Sequence, residues 1–251
     1  MKLTQLVTIF LEIFFPAHCH HCRSPLRHGS VPFFCDACWS TIRPLGGPFC
    51  PQCGKSFVSA SALSFSPTHR CGDCRKTRPQ YDSLITPYSF EGVLSEAISL
   101  LKYQKKTALI PPLSRLAFPF LTDLSRIDFI LPVPLHSTRL KAREFNQSLL
   151  LAETAGRLLR KPLEIHLLKK NTPTDPQMKL SQADRKGNLK NSFTLANPGH
   201  VKGKTILVVD DVFTTGATLN ECAKVLKKGG CRKVVGFALA RTLLRSRDPL
   251  F

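Results

Sequence analysis

Ile206-Leu207-Val208-Val209-Asp210-Asp211-Val212-Phe213-Thr214-Thr215-Gly216-Ala217-Thr218 is the stretch from which the fold is read. Four aliphatic residues in a row fit a parallel strand covered on both faces. The acidic pair follows at the strand's carboxyl end, where open α/β sheets bind ligands. Thr214 to Thr218 then offer backbone N–H groups and three hydroxyls at a helix start, a setting that suits phosphate. Carboxylates beside a phosphate cradle make sense if they grip sugar hydroxyls, directly or through Mg²⁺. The implied ligand is a phosphorylated ribose.

Two other readings of the same stretch are weaker. An Asp-Asp pair after a strand also opens receiver domains, but these need an acceptor Asp on a later strand. After Asp211, Glu221 falls on a helix and Asp248 in the tail. The other is a plain strand–turn–helix with an acidic turn.

Outward from this stretch, strand and helix patterns alternate. Ser83–Phe90 reads as a strand and Val93–Tyr103 as a helix with Leu94, Ile98 and Leu101 on one face. Ala108–Leu121 reads as helical, broken at Pro111-Pro112 and near Pro119. Ile127–Val133 is an apolar strand, Phe145–Leu159 an amphipathic helix and Glu164–Leu168 a further strand. Lys204–Asp210 is the core strand, Gly216–Lys228 a helix and Arg232–Ala240 the last strand. The alternation predicts an α/β fold, with a mainly parallel sheet and helices on both faces. Lys169–Asn191 is polar, holds Pro173 and Pro176, and has no apolar period. So long a loop inside a compact domain is usually functional.

Eight of the ten cysteines form four C-x-x-C knuckles: Cys19/Cys22, Cys35/Cys38, Cys50/Cys53 and Cys71/Cys74. One knuckle aims two thiolates at one tetrahedral metal, and two knuckles complete a Cys₄ zinc site. The spacing allows a β-hairpin between the knuckles of each pair, as in zinc ribbons. Sequential pairing (first with second, third with fourth) is favoured, and a cross-brace stays open. Eight thiolates suffice for two Zn²⁺, so His18, His20, His21, His28 and His69 are not needed as ligands. Cys222 and Cys231 read as buried small hydrophobes. Ser56–Thr68 is Ser/Ala-rich and reads as a loop within the second ribbon.

The 251 residues carry 36 Lys+Arg against 17 Asp+Glu, a net charge of +19. Residues 1–80 contribute +6 and residues 81–251 contribute +13, so the excess is not a detachable tail. Two zinc sites bring the total to about +15. Such a charge favours an anionic partner such as nucleic acid. Candidate contacts are Lys102, Lys105, Lys106, the Arg139–Lys141–Arg143 cluster, Lys224, Lys227, Lys228, Arg232 and Lys233. Trp39, Tyr88 and Tyr103 are available for base stacking. No stretch is long and apolar enough to span a membrane. Leu3, Leu6, Val7, Phe10 and Phe14 share one helical face, and Glu12 interrupts what would otherwise read as a signal peptide. The expectation is a cytoplasmic protein with an amphipathic helix at 1–17, a double zinc-ribbon module at 18–78 and the α/β domain at 79–251.

The Ile206–Thr218 stretch resembles the ribose-phosphate signature of type I phosphoribosyltransferases. The resemblance implies that Asp210 and Asp211 hold the ribose 2- and 3-hydroxyls of PRPP with Mg²⁺, and that Thr214, Thr215, Gly216, Ala217 and Thr218 wrap its 5-phosphate. Leu131-Pro132-Val133-Pro134-Leu135-His136, then Arg139, Arg143 and Phe145-Asn146-Gln147, resemble the ComF family. So do Gln177, Leu180, Arg185 and Asn188 before Phe193, and the zinc knuckles. ComF proteins are bacterial competence proteins that join a zinc-ribbon module to a phosphoribosyltransferase-like domain, associated with single-stranded DNA in natural transformation. The resemblance implies PRPP, single-stranded DNA and other DNA-uptake proteins as partners. It also implies that His136, Arg139, Arg143 and the lid residues Lys179, Arg185 and Lys186 meet pyrophosphate. The alternative is an active phosphoribosyltransferase on an unidentified acceptor. Thr214 stands where 6-oxopurine transferases carry an Asp, which argues against hypoxanthine or guanine. The chain departs from the family at Glu144, where Gly is usual, and a β-carbon forbids backbone that Gly allows.

Overall fold

The computed structural model describes residues 17–26, 31–57, 59, 66–122, 124, 126–171 and 191–243. The expected N-terminal helix and the lid residues Gln177, Lys179, Leu180, Arg185, Lys186 and Asn188 lie outside the described residues. So do His28 and most of the Ser56–Thr68 loop.

Each zinc ribbon is built the same way. Among the described residues a short hairpin wraps the first knuckle. Cys19 N–H donates to the Ser24 carbonyl and Leu26 N–H to the Ala17 carbonyl, both at 2.8 Å, with a single bridge between His18 and Pro25. Cys50 and Phe57 repeat the pattern on Lys55 and Pro48, with a bridge between Phe49 and Ser56. The second knuckle of each ribbon opens a helical turn, Asp36–Trp39 (α1) after Cys35 and Gly72–Thr77 (α2) after Cys71. Pro25 and Pro48 lack the N–H that longer ladders need, which keeps the hairpins short.

Ser83–Ile85 (β1) and Tyr88–Ser89 (β2) replace the single strand expected over Ser83–Phe90. Pro87 breaks it, and its carbonyl accepts from Leu45 N–H of the zinc module at 2.7 Å. Gly92–Gln104 (α3) and Ile110–Ala117 (α4) follow, and short 3₁₀ turns at Thr107–Leu109 and Phe118–Phe120 flank α4 where prolines interrupt the pattern. Phe129–Pro132 (β3), Ser137–Arg143 (α5) and Gln147–Leu159 (α6) complete the first half. The strand expected at Glu164–Leu168 is displaced. Residues 162–164 only touch the β3 edge, and the strand runs over Leu168–Lys170 (β4), antiparallel to Phe193–Leu195 (β5). Pro162 has no N–H to extend that edge.

Pro198–Val201 (α7), Thr205–Phe213 (β6), Ala217–Lys228 (α8) and Lys233–Arg241 (β7) close the described chain. The main sheet has the order β1-β7-β6-β3, with β2 continuing beside β7, and every pairing is parallel. Alternate residues of β6 serve the two faces. Leu207 and Val209 pack with Ile98, Leu101, Leu113 and Leu151 of α3, α4 and α6. Ile206 and Val208 pack with Leu219, Cys222, Ala223 and Leu226 of α8. Each such side chain taken fully from water contributes about 1.5–3 kcal/mol before chain entropy is subtracted. Cys222 and Cys231 are buried, as expected.

Both ribbons dock on this sheet domain. Phe34 of the first is fully buried in the core shared with α3, and His20 and His21 reach Glu96 at 3.4 and 2.9 Å. In the second, Gln52 Nε2 donates to the Pro79 and Tyr81 carbonyls at 3.1 Å. Gly54 passes so close to β1 that a β-carbon there would stand 2.7 Å from the Leu84 carbonyl oxygen.

Candidate functional site

The acidic pair sits where the sheet opens. β3 pairs with β6 only as far as Val209, whereas β7 stays paired with β6 out to Phe213. Asp210 and Asp211 are thus three and two residues short of the strand end, on a ledge that β3 has already left. Asp210 Oδ1 accepts from Ser148 Oγ and from Asp211 N–H, both at 2.9 Å. Burial, and then the Asp211 charge, push Asp210 up to about 6 against the pull of Lys102. Asp211 Oδ2 pairs with Lys102 Nζ at 2.7 Å, and both side chains are largely covered, at 12% and 16% exposure.

The turn after β6 is tight and left-handed at its last residue. Gly216 caps α8 with φ +75°, a left-handed conformation. A β-carbon there would stand 2.6 Å from Cζ of Phe213, so this position excludes side chains twice over. Thr215 Oγ1 accepts from Ala217 N–H at 3.4 Å. The helix N-terminus therefore presents its N–H groups beside the carboxylates.

The segment after β3 builds the opposite wall. His136 caps α5 and accepts from Thr138 N–H at 3.3 Å. Asn146 donates to the Val133 carbonyl at 3.0 Å and accepts from Ser148 N–H at 3.0 Å, fixing the start of α6. Arg143 donates to Gln147 Oε1 at 3.1 Å and lies 5.5 Å from the centre of the exposed Tyr103 ring. Gln147 Nε2 is buried and has no partner among the described residues, in a small cavity that Asp211 also lines. Glu144 takes φ 68°, so the left-handed backbone that suits Gly is kept with a side chain present. That side chain pairs with Lys105.

Several residues that the sequence placed on a nucleic-acid surface have protein partners instead. Lys102 is held by Asp211, and Lys105 by Glu144. Lys106 lies 5.3 Å over the Phe33 ring. Lys227 bridges to Asp82 at 2.7 Å and to the Arg232 carbonyl at 2.9 Å, and Lys224 lies 3.6 Å from Glu221. Arg232 donates to Thr205 Oγ1 at 2.9 Å. Lys228 and Lys233 are exposed. Lys170 escaped the sequence reading as one more polar loop residue. It stands at the end of β4, and burial followed by the nearby Arg139 charge lowers its pKa. Ser148 escaped it too, although it directly follows the Phe145-Asn146-Gln147 run.

The cysteines converge as two sets, Cys19/Cys22/Cys35/Cys38 and Cys50/Cys53/Cys71/Cys74, each with all sulfurs within 4.8 Å. This is the sequential pairing. Zn–S bonds of about 2.3 Å in a tetrahedron put sulfurs about 3.8 Å apart. Cys22 to Cys35 and Cys53 to Cys71 both measure 3.6 Å. The four thiols of the second set cannot all ionise unaided. The Cys50 sulfur pushes Cys53 up to about 12 while Cys50 itself is driven down. A dication removes that conflict, so the donor set fits structural zinc. None of the described histidines joins either set.

A double zinc ribbon family model matches residues 10–75, and a phosphoribosyl transferase domain model matches residues 93–242. Competence protein F of Haemophilus influenzae is 34% identical over 235 residues, covering 91% of this chain and 98% of that protein. The chain belongs to the ComF family. DNA utilization protein YhgH of Escherichia coli K12, another relative, is 34% identical over 91% of this chain and 98% of its own. Competence protein ComFC of Bacillus subtilis is 29% identical over 83% of this chain and 84% of that protein. The ComF chain described here thus has a phosphoribosyltransferase domain with a parallel sheet, preceded by two tetracysteine zinc ribbons. Among its described residues no helix is long and apolar enough to cross a membrane.

Proposed function

We propose that this ComF protein binds PRPP·Mg²⁺ and single-stranded DNA, and acts in the cytoplasm in DNA uptake during natural transformation. The observation that carries the PRPP half is the left-handed Gly216 cradle beside Asp210 and Asp211 on the ledge that β3 leaves. In this reading Asp210 and Asp211 hold the ribose hydroxyls and supply hard oxygens for Mg²⁺. Ser148 orients Asp210, and Thr214–Thr218 bind the 5-phosphate through N–H and hydroxyl groups. His136, Arg139, Arg143 and Lys170 stand on the pyrophosphate side, and the family resemblance adds Lys179 and Arg185, outside the described residues, as further pyrophosphate contacts. Lys102 holds the Asp211 carboxylate that the sugar requires, so ligand binding must draw that carboxylate away from its ammonium.

The names of the relatives support the DNA half, and so does the charge of +19. The turn holds no acid at Thr214, the position where 6-oxopurine transferases carry their proton acceptor, so hypoxanthine and guanine are not expected to react. The test is thermal stability with PRPP and Mg²⁺. A ligand bound only to the native state raises Tm. Asp210→Asn with Asp211→Asn should abolish the rise while leaving the protein folded. A rise as large as in the wild type would remove the ribose site. Pyrophosphate release with common bases and with single-stranded DNA should read near background, and turnover of about 1 s⁻¹ would make the protein a transferase.

A further inference from the structure

Three arginines of the second zinc ribbon line an open groove of about 490 Å³ with Pro79 and the zinc-ligand position Cys74. They are Arg70, just before the last knuckle, Arg75 within α2, and Arg78 at its end. All three are exposed, and no guanidinium of the three makes an ion pair, hydrogen bond or ring contact among the described residues. This sets them apart from Lys102, Lys105, Lys227 and Arg232, whose charges are already engaged. The one acid of this turn, Asp73, is matched by Lys55 at 3.1 Å. Arg78 takes a left-handed backbone, φ 45° and ψ 67°, a conformation strained for a residue with a side chain.

We propose that this groove is a docking site for the phosphodiester backbone of single-stranded nucleic acid. The inference rests on the single-stranded DNA reading above and gives it a location. Guanidinium forks match phosphate oxygens in pairs, and Arg75 within α2 and Arg78 at its left-handed end both line the groove. A single anion would leave most of the groove unfilled, whereas a run of backbone fills it. No aromatic ring lines it, so phosphates are gripped and bases are not. The groove also has a direction. Pro79 lines a second cleft of about 270 Å³ that continues between Tyr81 and the phosphate turn at Thr215 and Gly216. A strand lying on the ribbon is thereby led to the edge of the PRPP site.

The competing explanation is that the arginines merely offset the negative charge of a zinc–tetrathiolate centre. No guanidinium of the three is hydrogen-bonded to a sulfur, and zinc retention separates the two cases.

The test uses the full chain with a labelled oligo-dT strand and an abasic strand of equal length, read by fluorescence anisotropy over a range of salt. In Arg70→Gln/Arg75→Gln/Arg78→Gln the affinity at low salt should fall at least tenfold for both strands. The slope of log affinity against log salt should become shallower by about 2, since each lost phosphate contact on a single strand removes about 0.7. Zinc content and the Tm rise with PRPP should stay unchanged. Arg75→Gln alone, exposed in mid-turn, should remove about a third of the slope change, and it serves if the triple variant folds poorly. Loss of zinc from a folded triple variant would make the arginines part of the metal centre. Affinity within twofold of wild type across all salts would overturn the inference while leaving DNA binding in place. So would a variant that loses inorganic pyrophosphate binding and keeps DNA. Absence of any DNA binding by the wild type would remove both this inference and the reading beneath it.

Discussion

Replacing Lys102 by Met isolates the electrostatics of the acidic ledge. The ammonium stands 2.7 Å from Asp211 Oδ2, with the two side chains 16% and 12% exposed. At an effective dielectric of 20 that separation is worth about 6 kcal/mol of attraction, most of which offsets desolvation. Breaking a fully buried pair costs about 3–5 kcal/mol. The remaining exposure lowers this to about 2–3 kcal/mol at pH 8, or about 4–12 °C in Tm for a chain of this size. The cost should depend on pH. Asp210 already stands at about 6, and Lys102 is one of the groups holding it down. Without Lys102, Asp210 holds its proton to higher pH. A carboxyl whose folded pKa is raised keeps its proton between the unfolded and folded values, and stability is lost as pH rises through the folded pKa. The variant should therefore be destabilised by about 2–3 kcal/mol at pH 8 but only about 1 kcal/mol at pH 5. Far-UV circular dichroism melts at both pH values measure this. An equal loss at pH 5 and pH 8 would refute the electrostatic account and leave Lys102 as packing only.

Gly216→Ala should cost about 2–5 kcal/mol, from left-handed strain and the clash with Phe213, and should abolish the PRPP-induced Tm rise. A normal rise in a folded variant would mean the cradle does not hold phosphate. Cys50→Ser should lower zinc from two to one per chain by metal analysis and melt the ribbon of Cys71 and Cys74, while far-UV circular dichroism of the sheet domain is largely kept. Glu144→Gly exchanges left-handed strain for chain entropy and an exposed pair with Lys105, so stability should rise by about 0–1 kcal/mol in urea melts. A loss above 1 kcal/mol would show that the Lys105 pair matters more than the backbone. PRPP·Mg²⁺ affinity should fall as pH drops below about 6, because the proposed ribose contact needs Asp210 ionised. An Asp210→Asn variant that keeps the same pH profile would assign the titration elsewhere.

The sequence by itself determined whatever is written in short range. The aliphatic run Ile206–Val209 demanded a strand covered on both faces. Period-3.6 patterns set α3, α6 and α8, and the C-x-x-C spacing set two tetrathiolate centres. These are local rules, since a strand's alternation and a knuckle's turn are properties of neighbouring residues. The sequence misread what depends on a missing N–H beside a distant partner. Pro87 split the first strand by turning its carbonyl to Leu45, and Pro162 displaced β4. Only the tertiary structure decided which charges are free. Lys102 and Asp211, or Lys227 and Asp82, are far apart along the chain, and no periodicity marks them as pairs. Side chains that look alike on a helical face become partners or bare cations according to what the sheet order brings opposite them. That is why Lys102, Lys105 and Lys227, which look like bare cations in the sequence, are paired with carboxylates in the fold, while Arg70, Arg75 and Arg78 stand exposed on a zinc ribbon whose sequence announced only its metal.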